Sequence, residues 1–345
     1  MAAVLLSLAL LGSGLYVAYN TNFLGDDELC AGLVSSGSVE ATFPQTGRLS
    51  ADGDGGAGGD LFLDCHINST SALPGSVDQG MHIYASKDRA DFPFTHSGST
   101  YAGTTIYFSG ESSGAVHGNH QAWTWLPTAC SERDLVRVVA TLTSEHSADR
   151  GALAKLTVDT ANRLMNRAGC DAPKLTAPSV VETPPKERRS APQSLCGVDG
   201  FSLPSASTGR ATPVLETAPT SRGPVWSCFV TLDNDSDESA KARGFATYAV
   251  VQDPTLIAGM KQSDTYSQKS PVQGWDVSGF DDLHIVADCG GTDTYFAMEV
   301  GPQLTRTWEV PGSPGSSDLF AAFVSAVGGE YGCSGITGQR TASGG

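Results

Sequence analysis

Four groups of residues have the types and spacing that chemistry uses. Gly53-Asp-Gly55-Gly-Ala-Gly58 matches the G-x-G-x-x-G dinucleotide pattern, which needs a strand before it and a helix N-terminus after it to receive the pyrophosphate. Here the glycines lead into a strand instead, so the stretch reads as a flexible loop. Gly110-Glu-Ser112-Ser-Gly114 matches the G-x-S-x-G hydrolase elbow and follows the strand-like Thr104–Phe108. The elbow holds its serine by an immediate helix, and Ala115-Val-His-Gly-Asn-His120 starts a helix poorly. Asp134 and His146 would complete a triad, but nothing in the sequence brings them to Ser112.

Histidines form the third group. His117 and His120 stand with His66, His82 and His96 in the first half, while the second half keeps only His284. His117-Gly-Asn-His120 lacks the glutamate and the i,i+4 helical spacing of zinc peptidases, so surface or hydrogen-bonded histidines are the expectation. The fourth group is Asp233-Asn-Asp235-Ser-Asp237-Glu238, which alternates carboxylates like the first half of a calcium loop. Its sixth position is Glu238 in place of glycine and its twelfth is Gly244 in place of glutamate. Asp233, Asp235 and Asp237 remain the calcium candidates, as a weak extracellular site. The aromatic residues Tyr101, Trp123, Trp125 and Trp275 precede the third cysteine of each half and are the candidates for lining a peptide, glycan or apolar groove.

These groups need a scaffold, and the cysteines outline it. Cys30, Cys65, Cys130 and Cys170 are separated by 35, 65 and 40 positions; Cys196, Cys228, Cys289 and Cys333 by 32, 61 and 44. No C-x-x-C pair occurs, which removes the usual zinc and thioredoxin signatures. An even, widely spaced set repeated in register points to disulfides in an oxidising compartment. Of the pairings open to four cysteines, first-to-second and third-to-fourth is chosen in each half. Between the halves runs Asp171–Ser194, with five prolines and a basic knot at Lys186, Arg188 and Arg189. Proline fixes φ and removes a donor, so a semi-rigid spacer is expected.

Around that spacer the halves read alike. Strands are expected at Asp60–Asn68 and Val225–Leu232, each carrying a second cysteine, and at Met81–Ala85 and Phe245–Ala249. Two more are expected at Leu135–Leu142 and Thr294–Val300. Helices with a 3.6-residue apolar period are expected at Ala152–Ala168 and Ser317–Tyr331, each followed by Gly-Cys. The net charge is −16, with 17 acids against 9 bases over 20–170 and 17 against 8 over 195–345. Both halves would repel phosphate backbones, which argues against a nucleic-acid partner. Ala2–Tyr19 is an uncharged run at the lower edge of the about 17–25 residues that span a bilayer, and it reads as an anchor, with a signal peptide as the rival.

The run Ala2–Tyr19, the openings Leu29-Cys30 and Leu195-Cys196, and the closing helices before Cys170 and Cys333 resemble a group of actinobacterial cell-surface proteins of unknown function. Those carry one membrane anchor and duplicated four-cysteine domains. The resemblance implies an extracytoplasmic location and transfers no catalytic residue.

The expected fold is therefore α+β: a transmembrane helix over 1–20, then two tandem repeats over 21–170 and 195–333. Each would be a small antiparallel sheet with a packed C-terminal helix and two disulfides, and 334–345 a flexible tail. The expected function is a membrane-anchored binding or sensing protein of the cell envelope, non-catalytic and without a cofactor. Its partners would be the membrane and an envelope protein, peptide or glycan. A hydrolase confined to the first half, or a structural spacer, are the alternatives. A duplicated enzyme would repeat reactive residues at corresponding places, and these halves do not.

Overall fold

Leu63-Asp64-Cys65-His66-Ile67-Asn68 alternates apolar and polar residues, the period at which a strand buries one face. It forms most of a strand, Leu63–Thr70, with Leu63, Cys65 and Ile67 buried and Asp64, His66 and Asn68 exposed. The computed structural model describes residues 20–345 apart from 46, 56–59, 72–77, 89–103, 132–134, 144–146, 205–212, 234–236, 309–312, 334–335 and 337–345. Two compact units divide the chain: Met1–Asp88 with Gly110–Glu182, and Arg89–Ser109 with Thr183–Gly345.

The strands are β1 (Glu28–Leu29), β2 (Val34–Ser35), β3 (Arg48–Gly55), β4 (Leu63–Thr70), β5 (Gln79–Asp88), β6 (Thr105–Phe108), β7 (Ser113–His117), β8 (Gln121–Trp125) and β9 (Leu135–Leu142). Then follow β10 (Arg188–Arg189), β11 (Val214–Thr217), β12 (Val225–Leu232), β13 (Ala246–Val251), β14 (Ser278–Asp281), β15 (His284–Cys289) and β16 (Thr292–Val300). Among the described residues the α-helices are α1 (Ser36–Glu40), α2 (Arg150–Ala168), α3 (Glu238–Arg243), α4 (Pro254–Lys261), α5 (Pro302–Thr307) and α6 (Ser316–Gly328).

This corrects the expected fold class. The chain is mostly β, with two seven-stranded sheets and few helices in place of small sheets in an α+β module. No helix among the described residues is long and apolar enough to cross a membrane. Ala2–Tyr19 lies outside those residues. The sheets are larger than expected because several strands lack an apolar run. β3 is Arg-Leu-Ser-Ala-Asp-Gly-Asp-Gly, and its glycines Gly53 and Gly55 sit inside the strand instead of in a loop before one.

In the first unit the strands lie in the order β3-β4-β5-β9-β8-β7, with every described pairing antiparallel. Helix α2 covers one face: Leu153, Leu156, Thr157, Ala161 and Leu164 are buried, and Thr157 Oγ1 meets Thr124 Oγ1 of β8 at 3.1 Å. Asp149 caps the helix by accepting from Ala152 N at 2.8 Å. Gly169 ends it in the left-handed conformation (φ +67°), and Cys170 N donates back to Met165 O.

In the second unit the order is β10-β11-β12-β13-β16-β15-β14, again antiparallel. Helix α6 packs Phe320, Phe323 and Val324 onto Trp226, Cys228, Tyr248 and Phe296 in one buried core. It stops at Gly328, short of the expected Tyr331, and its cap residue is Gly315. Ile336, within the segment expected to be a flexible tail, is buried in this core; 334–335 and 337–345 lie outside the described residues.

Setting β10 and the edge strand Thr105–Phe108 aside, the two orders correspond strand for strand, so β4 matches β12 and Cys65 matches Cys228. All eight cysteines are paired as neighbours: Cys30–Cys65, Cys130–Cys170, Cys196–Cys228 and Cys289–Cys333. Cys30 and Cys196 both sit in short 3-10 turns with positive φ, 54° and 63°. An arginine holds each turn. Arg167 donates to Ala31 O, and Arg222 to Gly197 O.

The proline-rich segment differs from a free spacer. Asn162 of α2 both donates to Leu175 O and accepts from Leu175 N, each at 2.8 Å, and Leu175 is buried. Further on, Arg188–Arg189 pairs with β11 as an edge strand. Arg188 Nε donates to the buried Glu216 carboxylate at 2.9 Å, and Glu216 also accepts from Cys196 N at 2.6 Å.

Candidate functional site

The open face of the first sheet is set by Cys65. Its side chain points inward to the Cys30 bridge, so the residues on either side, Asp64 and His66, must point out. Register then builds a row across the strands: Asp52 of β3, His66 of β4, His82 of β5, Thr141 of β9 and Gln121 of β8. The next row is Asp54, Asp64, Tyr84, Val139 and Trp123.

Within these rows the His66 and His82 rings stack with centroids 4.1 Å apart and planes 7° from parallel. His82 Nε2 lies 2.7 Å from Asp64 Oδ1, and the Tyr84 ring leans on His82 at 4.7 Å. One ligand atom from each of Asp64, His66 and His82 lies within 4.8 Å of the others. The His82 and Asp64 side chains are 29% and 55% exposed, so solvent reaches the group. Two imidazoles and a carboxylate can bind a cation or hydrogen-bond a polar ligand.

The second sheet carries no such set at the matching places. Asp64, His66 and His82 correspond to Ser227, Phe229 and Thr247. That face is also largely closed and less polar: Ser227, Thr231 and Thr247 are buried, Phe229 is partly buried, and Gln303 of α5 bonds Thr231 Oγ1 and Leu232 N.

The three described aromatic candidates are buried. Trp123 and Trp125 are only 5% and 1% exposed, pack edge to face at 6.3 Å, and Arg137 lies 5.9 Å from the Trp123 ring centre. Trp275 is 7% exposed and belongs to the core of the second unit. Tyr101 lies outside the described residues. A cleft of about 570 Å³ in the first unit runs instead along α2, past Ser38, Lys155, Asp159 and Arg163. Within it Lys155 pairs with Asp159 and Arg163 with Glu28, and Lys174 also lines it.

Of the calcium candidates, Asp233 and Asp237 are among the described residues, and each has a cationic partner. Asp237 caps α3 through Ser239 N and Ala240 N and pairs with Arg306 at 2.7 Å, which holds its carboxyl below the usual range. Asp233 lies 3.8 Å from Lys241, and Asp235 is outside the described residues.

Ser112 is followed by β7 instead of a helix, and its hydroxyl donates to Thr176 O at 2.6 Å, so the elbow geometry is missing. His146 and Asp134 lie outside the described residues, as does His96. His117 and His120 sit at the β7–β8 turn with ring centroids 6.0 Å apart. Burial, and then His120, push the His117 pKa down from 6.5 to about 4.

Asp64 was not among the sequence candidates. Its signal was the alternation Asp64-x-His66 on one strand and His82-x-Tyr84 on the next, which becomes a site only once the strands are in register. No family model matches the chain, and no curated protein or solved structure matches it either.

Proposed function

We propose that the chain is an extracytoplasmic, non-catalytic binding protein, built from a duplicated disulfide-braced module, whose ligand surface is the Asp64–His66–His82 face of the first unit. The observation that carries this reading is an asymmetry. Two sheets share one strand order, and the second is largely closed at the place where the first is open, polar and lined with ligating groups. A scaffold kept twice and opened once suits a binding role on the open copy. The four disulfides support an oxidising compartment. Ser112, committed to a backbone carbonyl, supports the absence of hydrolase chemistry.

Compartment and surface are tested separately. In intact cells expressing the full chain, added protease should degrade it, and alkylation before reduction should label none of the eight cysteines. A protease-protected chain with reactive thiols overturns the compartment. For the surface, the imidazole C2-proton NMR signals of His66 and His82 should move when the full chain meets isolated envelope material or divalent cations. Signals unmoved by either overturn it.

A further inference from the structure

We propose that Asp64, His66 and His82 bind one divalent transition-metal ion of the zinc and copper kind, with at least one coordination position left open to a second ligand. This rests on the reading of that face as the ligand surface and names what it takes.

Three observations carry it. First, the donor set is two imidazole nitrogens and one carboxylate oxygen, the mixture that suits zinc, copper and nickel and that calcium or magnesium, which prefer all-oxygen shells, do not select. Second, the distances are close to those of a loaded site. Ligand atoms about 2.0–2.2 Å from a tetrahedral ion stand about 3.3 Å from one another. Here they lie within 4.8 Å, with one pair at 2.7 Å, so side-chain rotation alone brings them into place. Third, the placement is fixed by the fold. The Cys30–Cys65 bridge holds β4 in its facing, and antiparallel register sets His66 beside His82, with ring centroids 4.1 Å apart.

The surroundings favour a cation. Asp52 stands opposite His66 and Asp54 opposite Asp64, both exposed on β3, so the site lies in a negative field. Three protein ligands on an exposed face leave the rest of the shell to water or to a donor from a partner. Loading would replace the hydrogen bond between His82 Nε2 and Asp64 Oδ1 with bonds from both atoms to the ion.

The test is calorimetric titration of the full chain with Zn²⁺ alone and Cu²⁺ alone at pH 7.5. The expected result is one equivalent bound, with affinity lowered about 100-fold by His66→Asn or His82→Asn, the scale on which metal sites respond to damage in their shells. His117→Gln, in the other histidine pair, should leave that affinity unchanged, and Ca²⁺ in tenfold excess should not compete. Because exposed histidines tolerate asparagine, circular dichroism of each variant should match the parent.

No heat up to millimolar metal, or equal affinity in the His66→Asn/His82→Asn double variant, overturns the proposal and leaves the trio as a surface His–Asp ion pair. Should His66 and His82 signals still move with metal-free envelope material, only the metal is wrong and the binding face stands. Signals unmoved by any addition remove both.

Discussion

A single residue's environment decides whether its chemistry is available. His66 and His117 are both histidines on sheet strands or their ends, yet one is exposed beside another imidazole and a carboxylate, and the other is largely buried. With its folded pKa lowered to about 4, His117 stays neutral in the native state and gains a proton on unfolding below pH 6.5. Its contribution is therefore complete above pH 6.5 and is lost as the pH falls toward 4. Reduced for its partial exposure, that loss should be about 1–2 kcal/mol. Urea unfolding at pH 7 and pH 4 should show a smaller drop for His117→Gln than for the parent; equal drops would assign the acid sensitivity elsewhere. Glu216 makes a different case. It is buried, and it joins Arg188 of the proline-rich segment to Cys196 N. Glu216→Ala should cost about 2–3 kcal/mol, because a buried backbone donor and a cation lose their partner. A loss under about 0.5 kcal/mol in urea titration would show that Glu216 holds nothing. The histidines that matter were visible in the chain, but only as five among seven; which two meet is a property of register.

Elements place the site, and two features of β3 and β4 keep it placed. Gly53 adopts φ +134° opposite Cys65, and a Cβ there would come within 2.3 Å of Asp64 O. Only glycine lets β3 lie this close to β4. Gly53→Ala should therefore destabilise the chain by more than about 1 kcal/mol and weaken metal binding with it, since Asp64 is on the strand that must shift. Unchanged melting and affinity would show that β3 has no part in holding the face. Replacing Cys30 and Cys65 together by serine opens a loop of 35 residues and should cost about 4 kcal/mol on the chain-entropy model, read as a lower urea midpoint. Much of this was legible. Helix α2 carries its apolar stripe and its Gly169 stop in the sequence itself, while its start at Arg150, capped by Asp149, lies before the expected Ala152. Strand β9, Leu-Val-Arg-Val-Val-Ala-Thr-Leu, is apolar enough to declare a central strand. By contrast β3, with four of eight residues Asp or Gly, has low strand propensity and is held by pairing with β4.

For the whole molecule, the four bridges and the two sheets act together. Each bridge closes a loop of 32 to 44 residues, which removes about 4 kcal/mol of unfolded-state freedom. Each unit holds two, together about 8 kcal/mol, a large share of the about 5–15 kcal/mol by which folded domains are usually stable. Full reduction at 25 °C should therefore unfold the chain, seen as loss of the near-ultraviolet dichroism of its buried tryptophans. A reduced chain that keeps that signal would show that the hydrophobic cores suffice. The sequence by itself carried the even spacing of the cysteines, the apolar stripe of α2 and the alternation that turns Asp64 and His66 to the same face. Those are local properties, carried by spacing and period within one stretch. Only the tertiary structure decided that β4 pairs with β5 so that His66 meets His82, that the matching face of the second sheet is largely closed, and that Trp123, Trp125 and Trp275 are buried. These depend on contacts between residues far apart in the chain, and a strand's own sequence does not encode which partner will cover it.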